Sequence, residues 1–418
     1  MKKSMILAAV AAIVLSACAK IETEKPVVDE PINFAAYSGN AITKAGTPGE
    51  MTTDSLKSAG FGVLAYQTTG DAAIATPNFM YNTKVSGDFW TYSPVKYWPN
   101  QIQAGNTDAQ PATAFQADKV SFFAYAPYVA VTASTGAVTG SADEGIIALT
   151  ANSASGDPKV TYKVTDDLDK QVDLCWGVVN PAADQVWATV AGTNINLAKG
   201  MPYMGLQKPA IGTPIHFYFR HALAQINLKA VAAYNQVAAG GTAQSGVKIT
   251  IDTVKITVPG MTQTAVLNLN NTTANTPKWE STSGSEDLTL VVKGDNINSD
   301  LKDGGDVDAS AQPDGVTATE AEVITSGKYF TVIPTDSDKV VNVKVSYYVT
   351  TDDSELQAGH SRVQNIISRD VTFTGGFAAG TKNTIKMILG VSEVKFEAEV
   401  TDWATGTTVE VDLPKNKE

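Results

Sequence analysis

A chain of 418 residues has room for two domains at about 100–200 residues each. Its 43 acidic and 31 basic residues give a net charge of −12, which repels nucleic acid and anionic membrane surfaces and excludes both as partners held by charge. Only two cysteines are present, Cys18 and Cys175, so no disulfide framework supports the fold and stability must come from packing.

The first residues set the destination. Lys2 and Lys3 form a short basic region, and Met5 to Leu15 is an unbroken apolar run. A membrane-spanning helix needs roughly 20 apolar residues, whereas a secretory leader needs about 7–15, so residues 1–17 read as a leader that is exported and removed. Leu15-Ser16-Ala17-Cys18 resembles the lipobox of bacterial lipoproteins, in which the cysteine is acylated on sulfur and becomes the new N-terminus. That resemblance implies lipidation at Cys18, with palmitate-type chains holding the mature protein at a membrane surface. Ala19 in second position is compatible with outer-membrane delivery.

Residues 18–31 are polar and broken by Pro26 and Pro31, as in an extended tether. Order is expected from Ile32 to Tyr37, where apolar residues alternate as on a half-buried strand. Further strands are predicted at Phe61 to Tyr66, Lys119 to Ala126, Lys159 to Val164, Val172 to Val178 and, as one long element, Ile215 to Ala230. A second series follows the stretch Ala238-Ala239-Gly240-Gly241: Val247 to Val258, Ala265 to Asn270, Asp287 to Lys293, Lys328 to Ile333, Val340 to Thr350, Thr384 to Leu389 and Val394 to Trp403. Gly359 to Ser368 offers at most a turn or two of helix. Short strands at regular spacing predict an all-β chain of two seven-stranded β-sandwiches, at 32–235 and 246–418.

Catalytic motifs are absent from this pattern. His216 and His221 are five apart on a predicted strand, so they face opposite sides and cannot share a metal. Cys175, between Leu174 and Trp176, reads as a buried, inert thiol, and His221 as a structural histidine. The acidic loop Asp300 to Asp314 offers oxygen ligands for calcium but lacks calcium-loop spacing, so a solvated Asp/Gly loop is the first reading and a calcium site the alternative. Asp166-Asp167 and Asp352-Asp353 read as turn residues. No enzyme, no resident metal and no cofactor is expected.

The remaining signal is a set of aromatic and proline phrases: Phe61 to Tyr66, Tyr97-Trp98-Pro99, Phe122 to Pro127, Asp173 to Trp176, Phe219 to Leu223, Val332-Ile333-Pro334 and Val400 to Trp403. Each is what a sandwich core requires on packing grounds alone, since aromatic residues bury large area and proline ends strands. In this order, behind a lipobox, they resemble the fimbrillin-like proteins, the subunits and accessory lipoproteins of type V pili. The resemblance implies transthyretin-like sandwiches, location in the outer membrane or in a fimbrium at the cell surface, other pilus subunits as partners, and assembly by strand exchange after proteolytic release of an N-terminal strand. The family's release step is associated with arginine, but Arg220, Arg362 and Arg369 are the only arginines here, which leaves Lys44 as the candidate processing residue. Near the other end, Val409, Val411 and Leu413 alternate with polar residues, as in either a donor strand or an ordinary edge strand. The alternative function is a surface lipoprotein that does not polymerise and binds glycan or host protein.

Overall fold

The computed structural model describes residues 31–38, 51–69, 76–99, 118–140, 143–181, 186–190, 193–208, 213–233, 247–302, 320–390, 394–402 and 409–410. Its first half holds β1 (Phe34–Ser38), the helix α1 (Thr53–Ala59), β2 (Phe61–Thr69), β3 (Met80–Val85), β4 (Asp118–Ala126), β5 (Gly145–Leu149), β6 (Lys159–Lys163), β7 (Cys175–Val178), β8 (Val186–Val190), β9 (Thr193–Asn196), β10 (Tyr203–Leu206), β11 (Ile215–His221) and β12 (Ala224–Ala233). The second half holds β13 (Val247–Asn268), β14 (Lys278–Lys293), β15 (Ala321–Glu322), β16 (Phe330–Val332), β17 (Lys339–Asp352), β18 (His360–Phe373), β19 (Thr381–Gly390), β20 (Val394–Asp402) and β21 (Val409–Glu410). The protein is all-β, as its strand spacing predicts.

Three sheets organise these strands. The first runs β1-β11-β7-β4-β2-β3, with β10 also on β4. The second runs β15-β12-β19-β20-β21, with β16 on β12, and the third runs β18-β17-β13-β6-β5, with β14 on β13. β8 and β9 form a separate hairpin.

The first sheet is covered on both faces. Along β2, Phe61, Val63 and Ala65 enter one core while Leu64 and Tyr66 enter another; along β4, Phe122 and Ala124 part from Phe123 and Tyr125 in the same way. This is the period-two alternation of a strand, except that neither side meets water. One core also takes Leu56 of α1, Trp98, Trp187 and the β11 residues Phe217 and Phe219. The other is continuous with the interior between the second and third sheets, where Ile226 and Leu228 of β12 meet the same cluster as Val343 and Val345 of β17. Tyr347 Oη donates to the Gly390 carbonyl at 3.0 Å, tying the third sheet to the second.

The sheets do not divide where composition placed the domain boundary. Residues 234–246 lie outside the described set, and the change of sheet comes earlier, at Ala222-Leu223. There the long predicted strand Ile215 to Ala230 breaks into β11 and β12, which pair in different sheets. Three bonds fix the break: Ala222 N donates to Leu174 O at 2.8 Å, Gly380 N to Leu223 O at 2.8 Å, and Trp279 Nε1 to Ala222 O at 3.0 Å. In return β5 and β6, from the first half, complete the third sheet against β13. Among the described residues the strands fall into one seven-stranded sheet, two six-stranded ones and the β8-β9 hairpin.

Two local expectations also change. Val247 to Val258 and Ala265 to Asn270 join in a single strand, β13, because a bulge at Gly260, with φ of 60°, carries the chain through without a turn. Gly359 to Ser368 is not helical. Val363, Ile366 and Ile367 have helical spacing, but the segment pairs with β17 along the whole of β18 and leaves Val363 60% and Ile366 58% exposed at the sheet edge.

Trp176, 1% exposed, is the largest fully buried side chain, and its indole N–H has no hydrogen-bond partner among the described residues. Trp176→Ala should cost about 3–5 kcal/mol in denaturant unfolding. Trp176→Phe should cost much less, because it also removes a buried, unsatisfied donor.

Candidate functional site

The strand nearest the N-terminus in the described set has an unusual position. β1 lies at the edge of the first sheet and, among the described residues, pairs with β11 alone, in parallel, with Phe34 opposite Ile215 and Ser38 opposite Phe219. It nevertheless buries Phe34 and Ala36, and Ile32 on the approach to it is buried as well. The Phe34 ring sits among four others, with centroids 5.2 Å from Tyr92, 6.1 Å from Phe122, 6.2 Å from Phe217 and 6.5 Å from Phe61. Edge-to-face pairs dominate, the arrangement that aromatic quadrupoles favour.

Polar contacts hold the strand at both ends. Ile32 N donates to Lys96 O at 2.8 Å, Tyr92 Oη donates to Ile32 O at 2.8 Å, and Ser38 N donates to Thr53 Oγ1 at 3.2 Å. On the opposite face Tyr37 lies between His216 and Tyr218, at 4.9 and 4.7 Å. Burial, and then the neighbouring Tyr218, push the Tyr37 phenol up to about 12, and burial pulls His216 below the usual imidazole range. Beside the entry to β1, where Pro31 bridges Tyr97, Val95 and Tyr97 are exposed apolar side chains, 48% and 49% accessible, and Phe89, in the turn between Ser86 and Thr91, is 88% accessible. Removing β1 would thus open an apolar groove along β11, with the backbone groups of β11 unpaired on that side.

The candidate processing residue Lys44 and the candidate lipidation residue Cys18 lie outside the described residues, as do Val411, Leu413 and Trp403. Val409 is placed. Its backbone pairs with Val400 and that of Glu410 with Glu399, so the short β21 closes on β20 of its own chain. A cleft of about 510 Å³ opens between the end of β18 and β20, lined by Phe373, Ala378, Ala398, Val400 and Asp402. Asp167 and Asp353 each accept an N–H two residues on, from Asp169 at 2.9 Å and Glu355 at 3.0 Å, as turn-forming carboxylates do. Of the acidic loop 300–314, residues 303–314 lie outside the described set.

One cluster was not visible in the sequence. Antiparallel pairing of β7 with β11 sets His221 opposite Cys175, and Asp173 lies two residues earlier on the same face. His221 Nδ1 is 3.0 Å from Asp173 Oδ1 and 2.8 Å from Oδ2, Cys175 Sγ is 3.6 Å from His221 Nδ1 and 3.8 Å from Asp173 Oδ1, and Met51 N donates to Oδ2 at 2.8 Å. A nucleophile relay needs thiol and carboxylate on opposite imidazole nitrogens. Here both face Nδ1, so the arrangement does not activate Cys175.

No protein-family model and no curated protein matches the chain. Solved structures do. A crystal structure of a fimbrial protein from Bacteroides vulgatus is 23% identical, covers 90% of this chain and 100% of its own, and superposes with a TM-score of 0.58. A provisionally assigned cell adhesion protein from Bacteroides uniformis is 13% identical over 90% of this chain and 99% of its own, with a TM-score of 0.39. A fimbrial assembly protein from Parabacteroides distasonis is 11% identical over 92% and 99%, with a TM-score of 0.34. The first of these shares the fold of the present chain.

Because β1 is anchored chiefly by Phe34, Phe34→Ala should loosen this strand before anything else. Hydrogen exchange at the Ile215 amide, which donates to Asn33 O at 2.8 Å, should accelerate markedly. Amides of β12, paired on both sides, should keep their protection.

Proposed function

We propose that this chain is a fimbrillin-like subunit of a type V pilus, structural or adhesive, exported as a lipoprotein through Cys18 and assembled by strand exchange. The observation that carries the reading is β1, an edge strand with a single neighbour whose apolar side chains nonetheless complete a core. Such a strand takes with it the ladder to β11, the Pro31–Tyr97 bridge and its end contacts, while the other ladders of the first sheet stay paired. What remains is a row of unpaired backbone groups above an apolar groove, and a strand from a second subunit satisfies both. The fold shared with the Bacteroides vulgatus fimbrial protein supports the reading.

In this scheme the lipid brings the precursor to the outer membrane and cleavage after Lys44 frees β1. Other pilus subunits are the partners, and the protein works at the cell surface with neither enzymatic activity nor cofactor. The donor is the segment around Val409, Val411 and Leu413. Among the described residues two pairs join β21 to β20, so releasing them disrupts little. Burying three apolar side chains in the next subunit's groove contributes about 1.5–3 kcal/mol each.

The second reading, a surface lipoprotein that stays tethered and binds glycan or host protein, draws on one observation. No arginine precedes Arg220, so an arginine-specific protease cannot release β1. The exposed Phe89, Val95 and Tyr97 would then serve as a ligand surface.

Limited trypsin treatment of the purified full chain separates the two. Strand exchange predicts a ladder of oligomers after cleavage, lost in Lys44→Gln and in a chain lacking residues 404–418 that remains a folded monomer. A chain that is cut after Lys44 yet stays monomeric favours the tethered reading, and a ladder that survives the C-terminal deletion places the donor elsewhere. Separately, Cys18→Ser should move the protein from the membrane fraction to the soluble one. Retention in the membrane would contradict lipid anchoring.

A further inference from the structure

The Asp173, Cys175 and His221 cluster has no part in strand exchange, yet it is well built. Asp173 has a fully buried side chain, Cys175 is buried, and the His221 side chain is 12% exposed. Three chemically different donor atoms, Asp173 Oδ1, Cys175 Sγ and His221 Nδ1, converge on one another, and all lie within 4.8 Å. We propose that these three atoms form a binding site for a borderline divalent cation of the zinc type, with water as the fourth ligand.

The distances fit that chemistry. A tetrahedral zinc ion with bonds of about 2.0–2.1 Å to N and O and about 2.3 Å to S separates its ligand atoms by about 3.3–3.6 Å. The S to N edge is 3.6 Å and the S to O edge 3.8 Å. The N to O edge of 3.0 Å must widen by about 0.3–0.5 Å to reach the same range, a small rotation for a ring that reaches the surface. Thiolate, imidazole and carboxylate together suit zinc and its neighbours, whereas calcium and magnesium require oxygen ligands throughout.

The surroundings serve the same end. The Met51 N–H holds the Asp173 carboxylate through Oδ2, the oxygen 2.8 Å from His221 Nδ1, and leaves Oδ1 as the oxygen within reach of both His221 Nδ1 and Cys175 Sγ, the orienting role that outer partners play at metal sites. Binding takes one proton from the Cys175 thiol, and His221 moves its ring proton from Nδ1 to Nε2. A dication then meets one thiolate and one carboxylate, so the buried site carries no net charge. The ion would staple β7 to β11 next to the Ala222-Leu223 break, where the chain passes between sheets.

Cobalt(II) is the direct probe. In the full chain carrying Cys18→Ser, Cys175 is the sole thiol. One equivalent of cobalt should produce a thiolate-to-cobalt charge-transfer band in the near ultraviolet and the intense visible bands of four-coordinate cobalt, both bleached by one equivalent of zinc. Zinc should also raise the thermal midpoint, because it binds the folded chain only. Cys175→Ser should lose the charge-transfer band, and His221→Gln should bind at least tenfold more weakly, with circular dichroism confirming that each variant is folded. The parent measurement stands if a variant fails to fold. Absence of the charge-transfer band in the folded parent overturns the proposal, and so does equal zinc uptake by parent and folded Cys175→Ser, which would mark an adventitious ion only.

Discussion

Burial of the first sheet on both faces is the constraint from which the rest follows. A sheet that faces water on one side can carry polar residues at every second position, but here Phe61 to Tyr66 of β2, Phe122 to Ala126 of β4 and all of β7 are buried on both faces. Phe61, Val63 and Ala65 need one cover, Leu64 and Tyr66 another. The second and third sheets supply the cover on one side. On the other it comes from α1, the segment around Trp98, the β8 residue Trp187 and the rings that gather about Phe34. Tight spacing between the strands follows as well: a Cβ at Gly62 would lie 2.3 Å from Tyr125 Cε1, and one at Gly177 would lie 2.8 Å from the Phe217 ring.

Such a sheet has two edges to seal, and it treats them differently. At one edge β3 pairs antiparallel with β2, its sequence neighbour among the strands. At the other, β1 pairs in parallel with β11, which lies far along the chain, and its nearby contact in sequence is the Ser38 N–H to Thr53 Oγ1 of α1. Its hold is side-chain burial, chiefly Phe34, together with a few backbone contacts. Full covering of the core and easy topological removal of the covering strand therefore coexist at one place, the combination that exchange between subunits requires.

Much of this was legible in sequence because two-faced burial writes itself as unbroken apolar phrases. Phe61 to Tyr66, Phe122 to Ala126 and Cys175-Trp176 are strands in the places those phrases predict. What escaped was set by pairing. Nothing in Ile215 to Ala230 announces that the strand changes sheets at Ala222-Leu223, since both halves are apolar and the break is fixed by bonds to Leu174, Trp279 and Gly380. β5 and β6 joined the third sheet for the same reason, by long-range pairing with β13. The helical spacing in Gly359 to Ser368 lost to the long ladder with β17. Asp173, Cys175 and His221 were each noticed singly, but only the register of β7 against β11 brings them together. Comparing the phrases Asp173 to Trp176 and Phe219 to Leu223 as an antiparallel pair is the step that would have found the cluster.

The central claim is that β1 can be exchanged for another strand, and the most direct measurement isolates that strand from every question of protease and lipid. A chain beginning at Ala45, expressed without β1, can be sized by mass photometry alone and with a synthetic peptide spanning residues 31–44. Exchange predicts oligomers from the truncated chain and their conversion to monomers when the peptide is in excess, because the peptide refills the groove along β11. A truncated chain that stays folded and monomeric and takes up no peptide would contradict it.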